Sequence, residues 1–150
     1  MTREGKNTFN WGIIGTGGIA NAFSRDVEIL ENHKVKAVLS RTMRNAKIFS
    51  NNLNNCKGYD NIDSFLRDKD ICAVYIATPN TLHCNQTIKS LQAKVPVLCE
   101  KPFAMSFEEA SKMVKQSKIN STTLLDGMWM RYLPHTVSYT HLRAHETATY

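Results

Sequence analysis

Short apolar runs alternate with longer amphipathic ones along most of the chain, and this restricts the available folds more than any single motif does. Residues 9–15, 35–40, 56–59, 73–78, 95–100 and 122–127 read as strands. The run Ala73-Val-Tyr-Ile-Ala-Thr78 is the clearest, being rich in β-formers and closed by Pro79-Asn80. Between the strands, helical spacing links Ile19, Phe23, Val27 and Leu30, and then Ala46, Phe49 and Leu53. A short helix is expected over 62–68 and a longer one over 82–92. Ser106-Phe-Glu-Glu109 has the form of a capping box and opens a helix reaching about residue 118. Strand–helix alternation repeated this often predicts an α/β fold with a doubly wound parallel sheet.

Composition narrows the function classes. With 150 residues, 42% of them hydrophobic and 21% charged, the chain can bury one core and is not disordered in composition. The formal net charge of +6 is dispersed, with no basic face interleaved with aromatics, so no nucleic-acid partner is expected. Cys56, Cys72, Cys84 and Cys99 form no C-x-x-C pair and read as free thiols in a reducing compartment. The opening residues lack the apolar core of a signal peptide, and no apolar run approaches the roughly 20 residues of a membrane span. A cytoplasmic protein with no membrane partner is expected.

The first strand runs into Gly15-Thr-Gly17-Gly18-Ile19-Ala20, which then opens a helix. Each position has a physical task in binding a dinucleotide. Gly15 permits the tight turn, Gly17 lets the backbone approach a pyrophosphate, and Ala20 lets helix and strand pack closely. Gly18 loosens the loop, and the helix N-terminus beginning near Gly18 and Ile19 offers unpaired N–H groups to the phosphates. A glycine-rich turn without a ligand is the plainer alternative. The second strand ends in Ser40-Arg41-Thr42-Met43-Arg44, with no acidic residue. A carboxylate there would hold a ribose 2′-hydroxyl and repel a 2′-phosphate, whereas guanidinium groups bind the phosphate. NADP is therefore expected over NAD, which remains possible. Arg41 and Arg44 have a solvent-facing reading as well.

Ligands of doubly wound sheets lie beyond the carboxyl ends of the strands. There the chain places Thr78-Pro79-Asn80-Thr-Leu-His83 and, after the next strand, Glu100-Lys101-Pro102. Pro102 lacks an N–H and disfavours the helical region for Lys101, keeping that residue extended at the sheet edge. Taken in order with the glycine turn and Ser40-Arg41-Thr42, these motifs resemble the glucose-fructose oxidoreductase/inositol dehydrogenase/rhizopine catabolism (Gfo/Idh/MocA) family over about residues 9–135. The stretch Leu124-Leu-Asp-Gly-Met-Trp129-Met-Arg131-Tyr-Leu-Pro134 is similar to its trans-1,2-dihydrobenzene-1,2-diol dehydrogenase and D-xylose dehydrogenase branch, with Asp126-Gly127 replacing the usual Glu-Ala.

The resemblance implies that Thr78, Pro79, Asn80 and His83 pack against the ribose and phosphate side of the cofactor. It implies that Glu100 helps hold a cofactor ribose and that Lys101 faces nicotinamide and substrate as the catalytic residue. Trp129 and Arg131 would line the mouth of the cleft. Each also has an ordinary structural reading: His83 in a helix start, Trp129 in the core, Glu100 as a partner for Lys101. The implied activity is hydride transfer to or from a sugar, polyol or cyclic diol, with a non-catalytic NAD(P)-sensing regulator on the same fold as the alternative.

Residues 137–147, Val-Ser-Tyr-Thr-His-Leu-Arg-Ala-His-Glu-Thr, resemble the translation of a common sequencing adapter. Residues 1–135 are thus expected to form the dinucleotide-binding domain, with 136–150 a non-native tail and no metal site at His141, His145 and Glu146. The family's second α+β domain, which would hold the substrate and build a homodimer, would then be truncated away. The chain alone is expected to bind cofactor without turnover.

Overall fold

A computed structural model describes residues 8–128. Six parallel strands form one sheet in the order β3-β2-β1-β4-β5-β6. They are β1 (Phe9–Ile14), β2 (His33–Leu39), β3 (Lys57–Tyr59), β4 (Ala73–Ile76), β5 (Val97–Cys99) and β6 (Leu124–Asp126). The helices are α1 (Gly18–Ile29), α2 (Met43–Ser50), α3 (Ile62–Leu66), α4 (His83–Gln92) and α5 (Phe107–Asn120), with a 3-10 turn over Asn80–Leu82 leading into α4. The chain steps outward from β1 through β2 to β3 and returns along α3 to place β4 on the other side of β1. The loops after β1 and β4 therefore diverge, leaving a crevice at the reversal.

Alternation of side chains sorts the sheet's two faces into separate cores. Ile14, Leu39, Val74 and Ile76 pack with Phe65, Leu91 and Met113 on one face. Ile13, Val38 and Tyr75 pack with Ala20, Val27 and Phe49 on the other. In β2 the parity changes midway. Trp11 pairs with Val35 but Gly12 pairs with Ala37, so Lys36 is bulged out of the ladder. That extra residue is why Val35 and Val38 enter one core while Ala37 and Leu39 enter the other.

The alternation predicts every strand and α-helix but not the 3-10 turn over Asn80–Leu82, and the boundaries shift for local reasons. Helix α1 stops at Ile29, because Leu30 turns extended and its side chain is 54% exposed rather than part of the apolar stripe. Helix α5 runs to Asn120 and ends where Ser121 adopts a left-handed conformation, with φ 51°. The expected capping box is present with one difference. Ser106 accepts from the Glu109 N–H at 3.3 Å, while the Glu109 carboxylate reaches one residue further back, to the Met105 N–H at 3.0 Å. Residues 129–150, including the tail read as adapter-derived, lie outside the described residues.

Candidate cofactor-binding site

The crevice at the carboxyl ends of the central strands is a cleft of about 670 Å³. Gly15, Thr16 and Gly17 after β1 form one wall, with Ser40 and Arg41 after β2 beside them. Thr78 and Pro79 after β4 face them from the other side.

Gly15 has φ 115°, and a Cβ there would stand 2.6 Å from the carbonyl oxygen of Ala77. Only glycine fits, because the backbone is left-handed and the chain just after β4 presses against it. Gly17 differs: its φ is −80°, and a Cβ would meet nothing within 4 Å. Nothing in the chain itself requires glycine there, so the missing side chain leaves room in front of α1. No side chain caps that helix and no acidic residue sits in its first turn, so its N–H groups and positive dipole end face the opening. The turn is tied to its neighbour by the Gly15 N–H donating to Leu39 O at 2.9 Å and by Thr16 Oγ1 meeting Ser40 Oγ at 3.2 Å.

Six of the expected site residues meet in this lining: Gly15, Gly17, Ser40, Arg41, Thr78 and Pro79. Gly18 and Ile19 are exposed in the first turn of α1, with Ala20 buried behind them, and Arg44 is exposed in the first turn of α2. Asn80 starts the 3-10 turn. Trp129 and Arg131 lie outside the described residues. Thr16, Asp60, Asn61, Leu82, Asn85, Gln86 and Lys89 also line the cleft and were not expected there. Asp60 and Asn61 directly follow β3, so the strand-end rule that found Ser40 would have found them. Asn85, Gln86 and Lys89 share one face of α4, a pattern visible once the helix is known to border the cleft. Gln86 also accepts the Thr78 hydroxyl at 2.6 Å.

His83 and Glu100 are engaged with the chain itself. His83 is buried, with Nδ1 3.0 Å from Pro102 O and Nε2 2.9 Å from Thr78 O. Both partners are acceptors, so a neutral ring satisfies one and an imidazolium satisfies both. Glu100 Oε1 accepts the Tyr75 hydroxyl at 2.6 Å, and Oε2 accepts the backbone N–H of Lys101 at 2.8 Å. Each carboxylate oxygen keeps a further lone pair for a ligand. Burial, followed by the bond to Glu100 and its charge, pushes the Tyr75 phenol well above its usual range, so it keeps its proton and donates it to the carboxylate. Lys101 follows β5, exposed, on a cis bond to Pro102.

A parallel sheet of this order, with a glycine turn and an open helix N-terminus at its switch point, defines a dinucleotide-binding Rossmann domain. The sequence profile of the oxidoreductase family with an NAD-binding Rossmann fold (Gfo/Idh/MocA) matches residues 9–127. The chain belongs to that family, as its motifs led one to expect.

Among curated relatives, the D-xylose 1-dehydrogenase (NADP(+)) of Hypocrea jecorina is 30% identical over 91% of this chain and 38% of its own length. The trans-1,2-dihydrobenzene-1,2-diol dehydrogenase of Mus musculus is 32% identical over 83% of this chain and 38% of its own length. These are the two enzymes of the branch that the stretch around Asp126-Gly127 resembles. Among solved structures, the 3-ketoreductase KijD10 of Actinomadura kijaniata, crystallised with NADP, shares the fold with a TM-score of 0.82. It is 23% identical over 93% of this chain and 44% of its own. The chain thus spans about two fifths of the length of the curated relatives it matches.

Proposed function

We propose that this chain is the cofactor-binding portion of an NADP-preferring oxidoreductase that moves hydride to or from a sugar, polyol or cyclic diol. The observation that carries the NADP preference is Ser40-Arg41 in the cleft wall directly after β2, where an NAD site would place a carboxylate. The acidic residue in the lining, Asp60, follows β3 instead. The name of one relative specifies D-xylose and NADP(+), and that of the other a cyclic diol, and both support the same reading.

The residues present fit a dinucleotide. Gly17 leaves space for a pyrophosphate, the uncapped start of α1 supplies N–H donors, and Ser40 and Arg41 stand ready for a 2′-phosphate. When bound, the cofactor supplies or accepts the hydride. Lys101 then serves the reacting oxygen, either accepting the alcohol proton as a base or, as a cation, stabilising the developing alkoxide. Substrate selection and dimerisation are assigned to a further α+β domain of the kind the resemblance implies. On this reading, the 150-residue chain binds cofactor but does not oxidise alcohols.

Fluorescence titration with NADPH and NADH tests the cofactor assignment. NADPH is expected to bind at least about tenfold more tightly, and Arg41→Ala to remove most of that difference while leaving NADH unaffected. Equal affinity for the two in the unaltered chain would rule out the preference.

A further inference from the structure

Lys101 carries the chemistry in the reading above, and this inference rests on that reading. Its backbone is held from two sides. On the N-terminal side, Glu100 Oε2 accepts the Lys101 N–H at 2.8 Å, and Oε1 of the same carboxylate accepts the Tyr75 hydroxyl at 2.6 Å. On the C-terminal side, the buried His83 ring stands between Pro102 O and Thr78 O, at 3.0 and 2.9 Å, and packs the turn after β5 against the cleft wall after β4. From β6, Gly127 closes in so tightly that a Cβ there would lie 3.0 Å from Glu100 Cα and 3.4 Å from its Cδ.

Tyr75 is the least expected member of this arrangement. It sits in β4, 3% exposed, with its ring stacked on Phe23 of α1 at 3.9 Å between centroids. A phenylalanine would fill the same space and make the same stack. A buried hydroxyl needs a partner, and the one found here is a carboxylate, which forms the stronger charge-assisted bond. That bond fixes one oxygen of Glu100 and so turns the other towards the Lys101 N–H.

We propose that Tyr75 is a positioning residue for Lys101: through Glu100 it sets the backbone from which the lysine projects, while touching neither cofactor nor substrate. Packing alone would make the hydroxyl dispensable. A positioning role makes it matter to turnover while leaving dinucleotide affinity intact, because the glycine turn and Ser40-Arg41 follow β1 and β2 and the backbone of Ala77 that borders Gly15 does not involve the Tyr75 hydroxyl.

Tyr75→Phe isolates the hydroxyl. In the chain itself, amide exchange at Lys101 is expected to accelerate about fivefold or more, with NADPH affinity changed by less than about twofold. In the complete enzyme carrying this chain, kcat is expected to fall about tenfold with KM for the dinucleotide unchanged. Gly127→Ala, which presses on Glu100 from the β6 side, is expected to give the same pattern without altering Tyr75. Unchanged exchange and unchanged kcat in Tyr75→Phe overturn the proposal, and a Lys101→Ala variant that loses turnover in the same assay shows that the lysine reading survives. Full turnover in Lys101→Ala sinks the functional reading instead, while exchange at Lys101 still decides whether Tyr75 holds the turn.

Discussion

Gly15 and Gly17 should fail in opposite ways when substituted. At Gly15 the backbone is left-handed and a methyl would collide with Ala77 O, so Gly15→Ala is expected to cost about 1–3 kcal/mol in chemical denaturation. At Gly17 the conformation is ordinary and the space empty, so Gly17→Ala should leave stability within about 0.5 kcal/mol. Its expected effect is on ligand: NADPH affinity should drop about tenfold, because the methyl occupies the approach to the α1 N-terminus. The motif spacing identifies both glycines but cannot separate their roles, since the atom that excludes a side chain at Gly15 comes from β4. The same limit applies to Glu100 and His83. Their place after strands is legible in sequence, but their partners Tyr75 and Pro102 are made neighbours only by the sheet.

Among the elements, legibility follows how local the signal is. Helix α5 announces itself through Ser106 at its N-cap and Glu109 in its first turn, and at that end the structure differs in sending the Glu109 carboxylate to the Met105 N–H. Ser106→Ala is expected to cost about 1 kcal/mol of stability, read from the denaturant midpoint, with no effect on NADPH binding. Strand ends are less legible, because a strand is paired only where a neighbour runs alongside. Residues 95–100 read as one apolar run, yet only Val97–Cys99 is ladder. The bulge at Lys36 was invisible for the same reason: it exists only in the register between β2 and β1.

For the molecule as a whole, a buried and a half-buried thiol give it an alkaline limit. Burial pushes the Cys56 thiol from an ordinary 9.0 up to about 11, partly opposed by Lys36. Burial likewise pushes Cys99 up to about 12, and the charge of Glu100 adds to the rise. The folded chain therefore keeps both protons above pH 9, where the unfolded chain releases them. Unfolding is favoured as pH rises from about 9, and the loss levels off near the folded values. A thermal midpoint series from pH 8 to 11 should fall accordingly, and Cys56→Ser should flatten the fall by up to about 1.4 kcal/mol per pH unit. Topology was the most legible feature at this scale, because strand–helix alternation leaves few ways to wind a sheet. The cleft was legible only as strand ends, since α4 joins its wall through packing. The contact of Gly15 with Ala77 has one further consequence. The phosphate turn is encoded near the start of the chain, but the backbone that shapes it arrives with β4, after β2 and β3 have been made. Nucleotide affinity should thus emerge late in synthesis, so that a bound dinucleotide reports the joining of β1 to β4 as much as the presence of the glycines.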